Sequence, residues 1–197
     1  MARKVYFSFH YQDVADFRAN VVRNSGTFRK KNIHFHDASI WEEAPEKKVA
    51  IIKRLIDDSL IGLSVTCVLI GSETYTRRWV RYEIIKSFVE KKGLLGVGIN
   101  WIKGKNKKTK FWPGKNPFEY LKLQISTDGN TISFYEYKDG WVKYKDLPQT
   151  ENLHFSKKKA GQQYEFSELF KKYSYVWHDG RNDFETWIEN AAKNVGR

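Results

Sequence analysis

The stretch Ser64–Glu90, SVTCVLIGSETYTRRWVRYEIIKSFVE, decides how the rest of the chain is read. Its first part, Val65–Ile70, is a short apolar run rich in β-branched residues, the pattern of a strand buried on both faces. Gly71 and Ser72 end it, a polar loop follows to Arg78, and a helix is expected to start near Trp79. On that helix Val80, Ile84 and Phe88 recur every fourth residue and make a core-facing stripe. Glu83 sits roughly 60° from that stripe, with Trp79 one turn before it and Ser87 one turn after. The spacing therefore holds a carboxylate at the edge of a packed face, above the C-terminal end of a buried strand. Ligands bind at that edge in open parallel sheets, which makes Glu83 the candidate catalytic residue.

Working outward, Lys4–Phe9 reads as a first strand, followed by a helix to about Arg23 with Asp13 as N-cap and Val14, Phe17, Val21 and Val22 at helical spacing. Ile33–Phe35 starts a weaker second strand, and Asp37–Glu46 is a long charged connection. Lys47–Ile61 reads as an amphipathic helix and Gly93–Ile99 as a fourth strand. Strand and helix thus alternate four times, the mark of a parallel sheet with helices on both faces, and right-handed crossovers favour a flavodoxin-like order. The rhythm breaks at Asn100. Thr131–Tyr137 and Trp141–Lys145 alternate around the turn signal Asp139-Gly140, which predicts a β-hairpin. Glu165–Lys172 is expected as a short helix, Tyr173–Trp177 as a last strand, and Asn182–Ala192 as a last helix with Phe184, Trp187, Ile188 and Ala191 inward. The expectation is one domain over 1–197, a five-stranded parallel sheet whose last βα unit follows an insertion over about 101–172 that carries the hairpin.

Composition narrows the classes. A chain of 197 residues with 41% hydrophobic and 16% aromatic content can bury a sizeable core. No apolar run approaches the roughly 20 residues of a membrane span, and the N-terminus lacks a signal-peptide core, so a soluble, cytoplasmic protein is expected. Cys67 is the only cysteine and lies in the buried strand, where it serves as a small hydrophobe. The net charge of +12 invites a nucleic-acid reading. The lysine clusters Lys103–Lys110 and Lys157–Lys159 are not interleaved with aromatics, and a dinucleotide substrate suits the same charge. His34 and His36 share a strand face, but no third partner stands at ligand spacing, so no metal is expected. Gly96–Asn100 lies within a strand and opens no helix, so it is not a phosphate-binding loop.

Three segments together resemble the TIR (Toll/interleukin-1 receptor) family. Val5-Tyr-Phe-Ser-Phe9 with Tyr11 and Asp13 is similar to its opening strand. Ser72-Glu-Thr-Tyr-Thr-Arg-Arg-Trp79-Val-Arg-Tyr-Glu83 resembles its box of a Ser, a Trp, and a Glu four residues beyond. Asp37-Ala-Ser-Ile-Trp-Glu-Glu-Ala-Pro45 stands in place of the BB loop, with His36 where the usual Arg would be and no Gly after Pro45. FSFHYQDVADFRANVVRN, DASIWE, SVTCVLIGS and RRWVRYEI are similar, within that family, to the TIR subunit of bacterial Thoeris anti-phage systems.

That resemblance implies an enzyme that consumes NAD⁺ as substrate, needs no cofactor, and makes a cyclic ADP-ribose isomer. The diffusible cyclic nucleotide would activate a separate NADase effector, the partner subunit, and the BB loop would mediate self-association. It also implies that Glu83 is catalytic, that Phe7 and Ser8 line the pocket, and that His10 opens the loop above it. Asp37, Ser39 and Trp41 would reach in from the BB loop, and Trp79 would wall the ribose. Phe7 and Trp79 read equally well as core aromatics, and Trp41 as a loop aromatic packed on its own domain. Two rival functions follow from the residues: a TIR scaffold that only binds proteins, motivated by the altered BB loop, and a basic nucleic-acid-binding module.

Overall fold

The computed structural model describes residues 3–25 and 49–197. Four strands, β1 (Val5–Ser8), β2 (Val65–Ile70), β3 (Gly93–Gly98) and β9 (Lys172–Ser174), form a parallel sheet in the order β1-β2-β3-β9. Every residue of β1 and β2 is buried, as expected of strands covered on both faces. The expected strand at Ile33–Phe35 lies outside the described residues, so the parallel sheet described here has four strands.

Helices cover both faces. On one, α2 (Arg18–Arg23) and α6 (Gly180–Lys193) pack Ala19, Val22, Phe184, Ile188 and Ala192 against Val5, Phe7, Cys67 and Val97. On the other lie α3 (Val49–Leu60) and α4 (Arg78–Val89). Helix α4 carries more than one apolar stripe, because it is buried nearly all round. The sheet lies beneath it and a second sheet packs against it, joining Val80, Ile84, Ile85 and Phe88 with Phe118, Leu121, Leu123 and Phe134 in one core. Cys67 is fully buried, and burial pushes its thiol well above the ordinary range.

The second sheet is antiparallel: β4 (Leu121–Ile125), β5 (Thr131–Tyr137), β6 (Trp141–Lys143), β7 (Thr150–Glu151) and β8 (Gln163–Glu165). The β5–β6 hairpin turns at Asp139 and Gly140, both at positive φ, with Lys138 N–H donating to Gly140 O at 2.8 Å. The sequence reading expected that hairpin alone. Strand β4 alternates L-K-L-Q-I with every second residue buried, a period-two signal that was there to be read.

Three expectations are corrected. The first helix is broken into α1 (Tyr11–Val14) and α2, because Phe17 takes φ 74° and its ring is exposed; Asp13 lies inside α1 and is no N-cap. Residues Glu165–Lys172 form strand end, the single turn α5 (Phe166–Leu169) and the start of β9 instead of one helix. The last strand ends at Ser174, not Trp177. There the chain turns, with His178 Nδ1 accepting from Ser174 N–H at 2.8 Å and Gly180 N–H donating to Tyr175 O at 2.7 Å. A Cβ on Gly180 would stand 2.4 Å from the Tyr175 ring, so this tight return requires glycine.

Candidate active site

Alternation along β1 sends Tyr6 and Ser8 to the α4 side of the sheet and Phe7 to the other. The parallel register sets Tyr6 beside Thr66 and Ser8 beside Val68. Helix α4 answers with a polar seam one turn long, Glu83 and Ser87, docked on these hydroxyls. The Tyr6 hydroxyl donates to Glu83 Oε1 at 2.6 Å and the Ser8 hydroxyl to Oε2 at 2.5 Å. One turn on, the Thr66 and Ser87 hydroxyls share a hydrogen bond of 2.7 Å. Tyr6, Ser8, Glu83, Thr66 and Ser87 all have 0% of their surface exposed. A buried carboxylate without such donors would be costly, and here each oxygen receives a hydroxyl hydrogen.

Two further contacts fix the loop that launches α4. Asp13 accepts from the N–H groups of Ser72 and Glu73, both at 2.9 Å, from the Thr74 hydroxyl at 3.1 Å and from the Lys110 ammonium at 2.9 Å. Burial by itself would raise the Asp13 pKa; Lys110, the Glu73 N–H and the Thr74 hydroxyl outweigh it and hold the group below its ordinary 3.8. A depressed folded pKa stabilises the fold above the unfolded value near 3.8, and that contribution is lost as pH falls through the lower folded value. Asp13→Ala strands Lys110 and three donors, so we expect a loss of about 2–3 kcal/mol at pH 7, and a smaller difference from wild type in acid. Denaturant melts of both chains at pH 7 and pH 3 check this. A pH-independent difference would count against the charge. Asn100 Nδ2 makes the second tie, donating to Trp112 O at 2.6 Å and Ser72 Oγ at 3.2 Å, which binds the insertion to the same loop.

The structure places the sequence-derived residues unevenly. Ser8 meets Glu83 directly. His10, just past β1, is buried, with Nε2 3.4 Å from Gln12 Oε1. Phe7 is fully buried on the far face, its ring centroid 6.1 Å from that of Phe184. Trp79 is buried with Tyr6, Ile52, Ile56, Leu60 and Tyr82 under α3, and the Arg78 guanidinium lies 4.8 Å from its ring centroid. Asp37, Ser39 and Trp41, with the whole BB-loop stretch, lie outside the described residues, as do His34 and His36. Among the described residues no group of three or more His, Cys, Asp or Glu could hold a metal ion, and no helix is long and apolar enough to cross a membrane. Sequence reasoning passed over Tyr6, although it stands two residues before Ser8 and therefore on the same face of β1.

Elsewhere, Arg78 donates to Asp146 through two bonds of 2.8 and 2.6 Å, with Lys53 on the same carboxylate at 3.1 Å. The basic loop Lys103–Lys110 ends in Phe111 and Trp112, 79% and 72% exposed, so its C-terminal flank does carry aromatics. A cavity of about 440 Å³ lies at the far end of α4, walled by Phe88, Phe155, Phe170, Tyr173 and Trp187, and Glu83 has no part in it.

Residues 6–103 match the family model described as Thoeris protein ThsB, TIR-like domain. The chain is 45% identical over 194 residues to a Bacillus cereus (strain MSX-D12) protein named putative cyclic ADP-D-ribose synthase ThsB1, covering 95% of this chain and 100% of that one. The chain is a member of the Thoeris ThsB family of TIR-like proteins.

Proposed function

We propose that this protein converts NAD⁺ to a cyclic ADP-ribose isomer, with Glu83 as the catalytic carboxylate. The observation that carries the reading is Glu83 itself: a carboxylate buried at the sheet, its two oxygens fixed by hydroxyls of β1. The name of the Bacillus cereus relative supports the same product class. Nicotinamide in NAD⁺ is a pyridinium and leaves without a general acid. The C1′–N bond breaks, its electron pair goes to the ring nitrogen, and an oxocarbenium-like ribose remains. One negative charge facing that cation, or gripping the ribose hydroxyls, stabilises the transition state. Attack on C1′ by a nucleophile of the same molecule, with loss of one proton, gives the cyclic product; attack by water gives ADP-ribose. Enclosure of Glu83 favours the first outcome, since ring closure requires water to be kept out.

In this reading Ser8, His10 and Trp79 belong to the wall of the site, Phe7 backs β1, and Asp37, Ser39 and Trp41 complete it from the BB loop, which also serves self-association. A strand at Ile33–Phe35 would complete a five-stranded parallel sheet in flavodoxin-like order. The whole chain, 1–197, is one TIR unit with an insertion over about 101–172. It works in the cytoplasm, and its product activates an NADase effector. Incubating the protein with NAD⁺, with and without lysate from phage-infected cells, and separating the products by chromatography with mass detection tests this. A product with the mass of NAD⁺ minus nicotinamide is expected. Effector activation in infected cells with no NAD⁺-derived small molecule would instead favour a protein-binding scaffold.

A further inference from the structure

We propose that the cavity of about 440 Å³ at the far end of α4 is a binding site for a mononucleotide, a flat heteroaromatic base carrying a phosphate. The site is separate from Glu83, and the proposal does not depend on that residue's role. Its floor is a bare stretch of sheet edge. Gly93 N–H donates to Ser64 O at 3.0 Å and Gly96 N–H to Lys171 O at 2.9 Å. Odd-numbered residues of β3 therefore turn their backbone groups toward β2 and even-numbered ones toward β9. Pairing with β9 begins only at Gly96. Leu94 thus turns its N–H and C=O to a side where, among the described residues, no strand runs beside it, and Leu94 is only 4% exposed. Backbone groups buried to that degree ordinarily have partners. An N–H and a C=O side by side match the donor–acceptor edge of a nucleobase.

The walls supply stacking. Phe88 stacks on His154 with ring centroids 4.0 Å apart, and Trp187 on Tyr173 at 4.3 Å. In each pair the first ring is buried and the second half-buried, so a flat ligand ring can extend either stack. Burial and the nearby Lys91 hold His154 down to about 4, and it meets the ligand as a neutral ring. The charge of the lining selects the substituent: Lys92, Lys171 and Lys193 are present, with no Asp or Glu. Lys92 is engaged within the fold, donating to Leu60 O at 2.6 Å and pairing with Glu90 at 3.1 Å. Lys171 and Lys193 are exposed at the rim. Glu189, one turn before Lys193, is held by Arg3 through two bonds of 2.8 Å. Across Phe170 and Lys171 a wider hollow carries Glu119, Glu168, Asp179 and Asp183, so the phosphate belongs on the α6 side, at Lys193 and Asn190. A volume near the lower end of the range for small-ligand sites suits one nucleotide better than a dinucleotide.

The test is calorimetric titration of the full chain with AMP, GMP, CMP and UMP, beside adenosine and ribose 5-phosphate as probes that lack the phosphate or the base. At least one nucleotide should bind at concentrations up to about 1 mM and raise the melting temperature as it saturates. Adenosine and ribose 5-phosphate should each bind at least about tenfold more weakly, because each lacks one of the two recognised groups. The variant Lys171→Glu/Lys193→Glu changes only exposed positions and should melt like wild type, yet lose nucleotide affinity by at least about tenfold. No binding by any of the four nucleotides would overturn the proposal. Ribose 5-phosphate binding as tightly as a nucleotide would reduce the site to a surface anion contact, and adenosine doing so would remove the phosphate from the recognition; either result overturns it. Nucleotide binding that the double lysine variant leaves unchanged would place the ligand elsewhere and overturn it too.

Discussion

Glu83→Gln should reduce NAD⁺ turnover by about a thousandfold, the upper end of the range for removal of one preorganised electrostatic group, while the chain stays folded. The two halves of that statement have separate physical origins. Gln has the shape of Glu, and the Tyr6 and Ser8 hydroxyls can still donate to its carbonyl or rotate to accept from its amide, so the buried site remains satisfied at a cost of about 1 kcal/mol. The amide carries no charge, and the oxocarbenium-like ribose needs charge. A thermal shift within a few degrees of wild type, together with loss of both nicotinamide release and cyclic product, is the expected pair of measurements. A variant that loses cyclisation but keeps hydrolysis would assign Glu83 to product partitioning instead of bond cleavage. A variant that melts far below wild type would show that the carboxylate chiefly holds α4 to β1.

Much of this site was legible before any coordinates. The apolar run at Val65–Ile70, the polar loop and the fourfold spacing of Val80, Ile84 and Phe88 define β2 and α4 within one residue of where they lie. The offset of Glu83 from that stripe is a consequence of helix geometry. What was not legible has a common cause, the long-range pairing of polar groups. Asp13 looks like a helix cap in sequence, yet it reaches the N–H groups of Ser72 and Glu73, about sixty residues away. Tyr6 looks like one more core aromatic, because nothing local reveals that its hydroxyl ends on a carboxylate in another element. The break at Phe17 was hidden for a different reason: continuous helical spacing gives no sign of one residue at positive φ. The insertion was read too sparsely for two reasons: β6, β7 and β8 are only two or three residues long, and the alternation of β4 with the Asp128-Gly129 turn signal that follows it was passed over.

The insertion is also where the second large effect is expected. Arg81 stands two residues before Glu83 on α4, and its guanidinium is buried against β5: Nη1 donates to Glu136 Oε2 at 2.6 Å, while Nε and Nη2 donate to Tyr75 O at 3.2 and 3.1 Å. Glu136 also holds Lys138 at 2.6 Å, and the paired side chains of Arg81 and Glu136 are 8% and 9% exposed. Removing one partner of such a pair leaves a charge in the interior without its counterion, so Glu136→Ala should cost about 3–5 kcal/mol. In a chain of this size that lowers the melting temperature by roughly 10 °C. Arg81→Ala should cost less, because Glu136 keeps Lys138. The double variant Arg81→Met/Glu136→Met replaces the pair with apolar volume and should recover most of the loss. The double variant also asks what the antiparallel sheet is for. If the ion pair only stabilises, the recovered protein should turn over NAD⁺ like wild type; if it sets the angle at which α4 meets the sheet, stability should return and kcat should not. Glu136→Ala costing under 1 kcal/mol would show instead that water reaches the pair and that α4 is held by its apolar contacts alone.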